Sequence, residues 1–247
     1  MKVLLNGALG KMGGEVIKEI SKSDEYNIVC GYDREEKEKP FPIYKDITKI
    51  KEEVDVIIDF STPKATLEIL KYAKENKVPI VIATTGFSKE ENEIIESYSK
   101  EIPIFKSANM SFSINLLVNI LENIAEYLSD TDIEIIDIHH NRKVDSPSGT
   151  AILLADAINK SLKNEKSYNF DRMSKREKRD KNEIGFSSIR GGNIVGEHKV
   201  CFFGESEELE ITHKAYSRGV FAEGALKAAK YIVKQKAGLY NMSDLVK

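Results

Sequence analysis

The sequence contains few of the residues that mark several common classes of protein. Its 247 residues include two cysteines, four histidines and no tryptophan. Cys30 and Cys201 are too few for a disulfide scaffold or a zinc cluster, and they fit a reduced, cytoplasmic setting. No apolar run approaches the roughly 18–20 residues that span a bilayer, and the first residues lack the core and cleavage site of a signal peptide. We therefore expect a cytoplasmic protein.

The charge is also nearly balanced. There are 37 basic and 40 acidic side chains, giving a formal net charge of −3. No overall field would recruit nucleic acid or an anionic membrane, so we expect neither as a partner. With 41% apolar residues the chain has ample material for a core. These features favour a soluble enzyme or a small-molecule binding protein.

The first part of the chain alternates apolar runs with segments of helical periodicity. The runs Val3–Leu5, Ile28–Tyr32, Val54–Phe60 and Pro79–Ala83 are each followed by a turn or helix signal. Continuously apolar strands alternating with helices are typical of a parallel sheet that is buried on both faces. We predict an α/β, Rossmann-like domain formed by residues 1–108 and completed by a last helix within residues 219–247.

Residues 109–218 follow a different rhythm. A long helix (Ser111–Ser129), a strand (Ile133–His140) and a helix (Thr150–Leu162) precede a basic stretch, 163–183, which we interpret as an exposed loop. Three strand-like runs then follow one another without intervening helices: Ile184–Arg190, Ile194–Phe203 and Leu209–Ala215. This succession predicts a second, α+β domain with a mixed or antiparallel sheet, which we assign to substrate binding and oligomerisation.

A glycine-rich turn follows the first predicted strand. Gly7, Gly10 and Gly13 open a helix and can provide a tight turn, close approach of backbone N–H groups to a pyrophosphate, and a helix N-terminus with partial positive charge. Asp33 ends the second strand twenty residues after Gly13, where a carboxylate accepts hydrogen bonds from an adenosine ribose. The pattern predicts a dinucleotide site. Lys11 and Arg34 could pair with a 2′-phosphate, so both NADH and NADPH remain open as cofactors.

Two more segments lie at predicted strand ends, where doubly wound sheets place their ligands. Their small and polar residues suit contacts with a nicotinamide ribose, although ordinary turns have the same composition. The two segments are Ala83–Gly86 and Ser107–Met110, and from the residues alone both interpretations stay open for them.

The densest chemistry lies between Glu134 and Ala151. His139 and His140 end a strand, Lys143 follows in a loop, and Gly149 and Thr150 open the next helix. Histidine carries protons near neutral pH, lysine supplies charge or a proton, and a helix N-terminus suits a carboxylate. Adjacent histidines on a strand point to opposite faces, so we predict no metal site. The other two histidines, His198 and His213, are expected to be structural or to lie at an interface.

These motifs together resemble the dihydrodipicolinate reductase family. The resemblance runs through GALGKMG, DFSTP, ATTGF, SANMS, EIIDIHHNRKVDSPSGTA, IGFSSIRGGNIVGEH and LEITHKAYSRGVFAEGAL, in that order. It implies a homotetramer that reduces a cyclic dicarboxylate, 4-hydroxy-tetrahydrodipicolinate, with NADH or NADPH and loss of water, in lysine biosynthesis through diaminopimelate. It also implies catalytic roles for His139 and Lys143, and substrate contacts for His140, Gly149 and Thr150. The cofactor contacts that it implies are Gly7, Ala8, Leu9, Gly10, Lys11, Met12, Asp33, Arg34, Ala83, Thr84, Thr85, Ser107, Ala108, Asn109 and Met110.

Other interpretations remain open at this point. Another NAD(P)-dependent dehydrogenase would keep the glycine loop and Asp33 but leave the histidine–lysine segment unexplained. A nucleotide-sensing module would need a DNA- or partner-binding element, and the sequence shows no such motif. The basic cluster Arg172–Lys181 is most simply a solvated loop, and the alternative is a mobile lid over a dianionic substrate.

Overall fold

A computed structural model describes residues 1–38 and 40–246. Lys247, the last residue of the predicted first domain, lies outside the described residues. In chain order the strands are β1 (Lys2–Asn6), β2 (Asn27–Tyr32), β3 (Lys37–Glu38), β4 (Pro42–Tyr44), β5 (Val56–Asp59), β6 (Ile80–Ile82), β7 (Pro103–Lys106), β8 (Asp132–His139), β9 (Ser167–Asn169), β10 (Glu183–Arg190), β11 (Gly196–Phe203), β12 (Glu208–Ala215) and β13 (Gly238–Tyr240). The α-helices are α1 (Lys11–Ile20), α2 (Pro63–Asn76), α3 (Lys89–Ser99), α4 (Phe112–Ile124), α5 (Gly149–Ser161), α6 (Gly219–Ile232) and α7 (Met242–Leu245).

The chain forms two compact units, and the first is discontinuous in sequence. Of the described residues, those within 1–112 and 218–246 make the first unit, and residues 113–217 make the second. The sheet of the first unit has the order β13-β7-β6-β5-β1-β2-β4-β3, with parallel pairing except between β3 and β4. The predicted Rossmann-like parallel sheet is confirmed.

Both faces of this sheet are covered by apolar side chains. Along β1, Val3 and Leu5 belong to one core cluster and Leu4 to the other, as the two-residue period of a strand requires. On the face of Val3 and Leu5, helix α6 contributes alanines and Ile232 to the core. The small side chains of α6 let its backbone pack closely against the sheet.

Local signals in the sequence explain where the helices begin. Thr62 caps α2 through its hydroxyl, and Pro63 occupies the first turn, where its missing N–H leaves no hydrogen bond unmade. Ser88 and Glu91 form a reciprocal capping box at the start of α3. These caps fix the directions in which the chain leaves the carboxyl ends of β5 and β6.

The sheet of the second unit has the order β12-β11-β8-β10-β9. Strand β10 pairs parallel with β8 and β9, whereas β11 pairs antiparallel with β8 and β12. Helices α4 and α5 bury apolar side chains against this sheet, among them Leu121 and Leu154. The predicted second domain with a mixed sheet is confirmed.

The basic stretch 163–183 is more ordered than the predicted exposed loop. Residues Ser167–Asn169 form β9, and Arg179 donates to the carbonyl oxygens of Ile133 and Glu183. Arg172 lies 2.5 Å from the buried carboxylate of Glu183. These contacts tie the stretch to the sheet and oppose the interpretation as a mobile lid.

Other differences concern short elements. The predicted helix Ser111–Ser129 is shorter as an α-helix, because α4 gives way to a 3₁₀ turn over Ala125–Leu128. The three-residue strands β4 and β13 were not predicted, since so few residues show no periodicity. Within the described ranges, no helix combines the length and the apolar character needed to cross a membrane.

Candidate active site

The glycine-rich turn of the first unit needs glycine for steric reasons. Gly7 has φ +81°, and a Cβ atom there would lie 2.4 Å from the carbonyl oxygen of Phe60. A Cβ atom on Gly13 would lie 2.3 Å from the carbonyl oxygen of Gly7. The backbone of the glycine turn therefore packs directly on Phe60, which follows β5, and on Gly13 in the first turn of α1.

The start of α1 lacks a competing negative charge. Its N-cap is Gly10, which offers no side chain, and its first turn carries no acidic residue. The first N–H groups of a helix have no intrahelical acceptor and carry partial positive charge. With the close-packed glycines, this helix start can receive a phosphate group.

A cavity of about 510 Å³ opens beside this turn. Asp33 lies in its lining, where one carboxylate oxygen accepts the Leu9 N–H at 2.8 Å and the other accepts the Arg34 N–H at 2.8 Å. Asp33 therefore shapes the loop itself, and a carboxylate oxygen can accept a further hydrogen bond from a ribose. The cavity is lined by Asn6, Gly7, Leu9, Gly10, Tyr32, Asp33, Arg34, Lys45, Phe60, Ser61, Thr62, Lys64, Ala65 and Glu68.

Three cations line this cavity, and sequence reasoning identified only one of them. Arg34 was predicted, whereas Lys45 and Lys64 were not. Lys64 follows Pro63 at the end of β5, so its place at the carboxyl edge of a parallel sheet could have signalled it. Lys45 follows β4, a strand too short to predict, and carried no such signal.

A second cavity, of about 390 Å³, lies further along the same sheet edge. It is lined by Thr84, Thr85, Gly86, Phe87, Asn92, Lys106, Ser107, Ala108, Leu239, Tyr240 and Asn241. Of the other predicted cofactor residues, Ala8 and Met110 are buried, Lys11 and Met12 lie in the first turn of α1, and Ala83 and Asn109 flank the second cavity in sequence. Nine of the fifteen predicted contacts thus line one of two cavities of this unit, five in the first cavity and four in the second.

In the second unit, β8 and β11 bring acidic and basic side chains together. Asp137 and His139 alternate with Ile138, so they share one face of β8, and His198 of β11 lies directly opposite Asp137 in the register. The rings of His139 and His198 are 5.1 Å apart and nearly perpendicular. All three side chains are buried. The prediction that His198 is structural or lies at an interface did not anticipate this position beside His139.

Asp137 is the acidic centre of this cluster. It accepts from the Arg190 guanidinium at 2.8 Å and from the Ser148 N–H at 2.6 Å. Burial alone would raise the pKa of Asp137, but these hydrogen bonds outweigh burial and hold its pKa well below the usual range. Asp137 therefore remains a carboxylate.

The histidines respond differently to burial. Burial lowers the pKa of His139, and the negative charge of Asp137 opposes this effect from 3.7 Å. Burial, together with the neighbouring His139, lowers the pKa of His198 to about 3. His198 is thus neutral at physiological pH. Its Nε2 lies 3.0 Å from the Ser148 hydroxyl, which also caps α5 by accepting the Ala151 N–H.

The predicted Lys143 is linked to the same cluster. Its ammonium group lies 2.8 Å from a carboxylate oxygen of Asp145, and the Asp145 carbonyl accepts from Arg190 at 2.8 Å. Arg190 therefore connects the Lys143 loop to Asp137. His140, half-buried, donates its N–H to the carbonyl of Ile194 at 2.8 Å.

The helix start beside Ser148 completes the group of predicted substrate residues. Gly149 is exposed and Thr150 half-buried in the first turn of α5, which carries no acidic residue. The structure places His139, Lys143 and this helix start around one network of ion pairs and hydrogen bonds. Such an arrangement can bind a carboxylate and deliver a proton.

Three side chains of this cluster, Asp137, His139 and His198, carry atoms of the kind that ligate metal ions. Ligand atoms of Asp137, His139 and His198 all lie within 4.8 Å of one another. However, the Arg190 guanidinium already pairs with Asp137, and its fixed positive charge opposes a second cation there.

Neither cysteine has the environment of a nucleophile. Both are buried, and burial raises the pKa of Cys30 to about 12 and that of Cys201 to about 11. The thiolate, which is the reactive form, is therefore disfavoured at both positions.

Comparison with known proteins places this geometry in context. The family model for the N-terminus of dihydrodipicolinate reductase matches residues 1–110, and the model for its C-terminus matches residues 113–246. The 4-hydroxy-tetrahydrodipicolinate reductase of Caldanaerobacter subterraneus subsp. tengcongensis is 49% identical over 247 residues, covering 100% of this chain and 98% of the relative. That of Clostridium novyi is 48% identical, with 100% and 98% coverage.

The fold has a matching solved structure. A dipicolinate-bound dihydrodipicolinate reductase from Paenisporosarcina sp. TG-14 superimposes with a TM-score of 0.81 at 23% identity, covering 98% of this chain and 97% of that one. The predicted family and fold are confirmed. The chain is an oxidoreductase that uses a nicotinamide cofactor, as predicted. From family models that span both units and relatives that are nearly half identical over the full length, we conclude that the chain belongs to the dihydrodipicolinate reductase family.

Proposed function

We propose that this chain reduces 4-hydroxy-tetrahydrodipicolinate to tetrahydrodipicolinate with NADH or NADPH and loss of water, the step of lysine biosynthesis through diaminopimelate for which its relatives are named. The observation that supports this best is the network around Asp137. It joins His139, the Lys143 loop and the start of α5, so proton carriers and a carboxylate site occur together.

The first unit fits a dinucleotide. Gly7 and Gly13 leave space that a Cβ atom would fill, and the cap of α1 offers no competing side chain. We assign the pyrophosphate to Gly7–Met12, the adenosine ribose to Asp33, and the nicotinamide half to the cavity lined by Thr84, Thr85, Ser107 and Ala108, with Ala83, Asn109 and Met110 beside it. The reduced nicotinamide, when bound, supplies the hydride.

The site should accept both forms of the cofactor. Asp33 favours the free 2′-hydroxyl of NADH, whereas Arg34, Lys45 and Lys64 line the same cavity and favour the 2′-phosphate of NADPH. Because acidic and basic groups are both present, we propose dual use.

The second unit would hold the substrate. The first N–H groups of α5 at Gly149 and Thr150 would bind one carboxylate, and His140 and the Lys143 ammonium would contact the substrate's other polar groups. Fixing a small dicarboxylate at several points also orients it for reaction.

Two groups can move protons in this site. The charge of Asp145 pairs with the ammonium form of Lys143, so Lys143 can donate a proton to the substrate. Burial lowers the pKa of His139, which therefore enters mainly as a neutral imidazole that can accept or pass on a proton. The negative charge of Asp137 would stabilise the imidazolium when it forms.

We also propose a cytoplasmic homotetramer built through the second unit. Large apolar side chains on its strands are exposed in the single chain, with Ile189 51% and Leu209 44% exposed. Light scattering of the purified protein would measure the mass of the assembly.

The decisive experiment follows oxidation of NADH and NADPH with freshly generated product of the preceding synthase. We expect turnover with both cofactors. His139→Gln and Lys143→Met should each lower kcat by about a hundredfold or more while cofactor affinity stays within about twofold. Lys160→Met, on the exposed surface of α5, is the matched control and should behave as wild type.

Failure would take a clear form. If the wild-type chain binds cofactor but oxidises none of it with this substrate, the proposed function is wrong. If both single variants keep near-normal turnover, the assignment of His139 and Lys143 is wrong.

A further inference from the structure

Asp59, at the end of β5, is a fully buried carboxylate for which the mechanism above gives no role. None of the ion pairs among residues 1–38 and 40–246 gives it a cationic partner. Such a group is costly to bury and is retained only where hydrogen bonds satisfy it. Its position at the carboxyl edge of the sheet lies where the cofactor loops begin.

Four side chains from four segments donate to this carboxylate. Oδ1 accepts from the Asn6 amide at 2.8 Å and the Ser61 hydroxyl at 2.5 Å. Oδ2 accepts from the Thr66 hydroxyl at 2.5 Å and the Thr84 hydroxyl at 3.0 Å. The ends of β1, β5 and β6 and the first turn of α2 therefore meet at one residue.

Neighbouring donors favour the direction of two of these bonds. The Ser61 oxygen also accepts from the Asn6 amide at 3.0 Å, and the Thr84 oxygen accepts the Ser61 N–H at 2.9 Å. Both hydroxyls therefore have their protons available for Asp59. The Ser61 and Thr66 hydroxyls each have one alternative acceptor, the Thr62 carbonyl, at 3.4 Å and 3.0 Å, and both lie closer to Asp59. A carboxylate satisfies all four donors, whereas an amide in its place would turn its NH₂ group towards a hydroxyl.

The segments held by Asp59 are those assigned to the cofactor. Asn6 immediately precedes Gly7, whose turn packs on the Phe60 carbonyl, and Thr84 lines the second cavity. We propose that Asp59 is a positioning residue of the cofactor site, which fixes the glycine turn, the Phe60–Ser61 segment and the Thr84 loop in the arrangement that a dinucleotide requires. This inference rests on the proposed cofactor site.

The test compares Asp59→Asn and Thr66→Val with Ile95→Val in the full chain. Ile95 of α3 is buried within an apolar core cluster, so its substitution reports general loss of stability. We expect Asp59→Asn to raise the dissociation constants of NADH and NADPH by about tenfold, and Thr66→Val by about threefold. Ile95→Val should leave them within about twofold.

A second measurement needs no cofactor. Amide hydrogen exchange of the free protein should be faster at Gly7, Ser61 and Thr84 in Asp59→Asn than in Ile95→Val at equal global stability. If Asp59→Asn is unfolded, both measurements are made on Thr66→Val instead. Thr66, the donor to Asp59 that this variant removes, lies outside the predicted cofactor contacts.

The outcomes separate this inference from the proposed function. Wild-type protein that binds neither NADH nor NADPH overturns the proposed function. Wild-type binding with unchanged affinity and unchanged exchange in Asp59→Asn and Thr66→Val overturns only the role of Asp59. An equal loss of affinity in Ile95→Val also overturns it, since the effect would then follow stability alone.

Discussion

Replacing Gly7 by alanine perturbs the glycine turn at its most constrained position. At φ +81° an alanine is strained by about 1–2 kcal/mol relative to a right-handed conformation. Its Cβ would also lie 2.4 Å from the Phe60 carbonyl oxygen, and the displacement needed to relieve this contact adds about 1–3 kcal/mol. We therefore expect the free energy of unfolding to fall by about 2–5 kcal/mol.

Gly14 provides a matched control seven residues later. A Cβ atom there meets nothing within 4 Å, and the position lies inside α1. Gly14→Ala should raise the free energy of unfolding by about 0.5–1 kcal/mol, because alanine loses less conformational freedom in a helix.

Urea unfolding and titration with NADH or NADPH distinguish the two variants. Gly7→Ala should weaken cofactor binding by at least about tenfold, since the Phe60 segment and the turn must move apart. Gly14→Ala should bind as wild type. Equal stability and equal affinity in both variants would refute the steric reasoning, because the two sites differ in backbone φ and in what the new methyl group meets.

Three further predictions concern single side chains. Ser148→Ala removes the side-chain cap of α5 and should lower the free energy of unfolding by about 1 kcal/mol. It should also raise the substrate KM while cofactor affinity is unchanged. Substrate saturation curves measure the KM, and an unchanged KM would contradict this prediction. His198 has a folded-state pKa of about 3 against 6.5 for the free side chain, so below pH 6.5 the unfolded chain takes up a proton that the folded chain refuses. Stability should fall by up to about 4 kcal/mol between pH 6.5 and 3, and acid titration of His198→Gln should show a shallower fall if this is right. Arg34→Gln should weaken NADPH binding about tenfold more than NADH binding, and equal loss of both in calorimetry would exclude a 2′-phosphate role.

Much of the fold could be predicted because its signals are local. The glycine turn, the buried strands and the helix caps at Thr62 and Ser88 are each specified by a few consecutive residues. The two histidines, Lys143 and the start of α5 also lie within one short segment, so their proximity was predictable.

The remaining features depend on long-range pairing. Asp59 and Asn6 are 53 residues apart, and Ser148 and His198 are 50 apart. His198 reaches Asp137 only through the antiparallel register of β11 on β8, which no local pattern specifies. Strands as short as β9 lack periodicity, so the basic stretch 163–183 was interpreted as a loop.

The discontinuous first unit has a consequence for how the chain is made. Helix α6 supplies Ala222, Ala225 and Ile232 to the core formed by the N-terminal strands, and β13 extends their sheet beside β7. The residues between Phe112 and Ile232 must be synthesised before α6 is complete, which takes roughly 6–24 s at about 5–20 residues per second. During that interval the face of the nascent sheet on which α6 packs is covered only by α1, through Val16 and Ile20, whereas the second unit is contiguous and can be completed earlier. Biosynthesis of this chain therefore includes a period in which part of the apolar face of the N-terminal sheet is exposed to water.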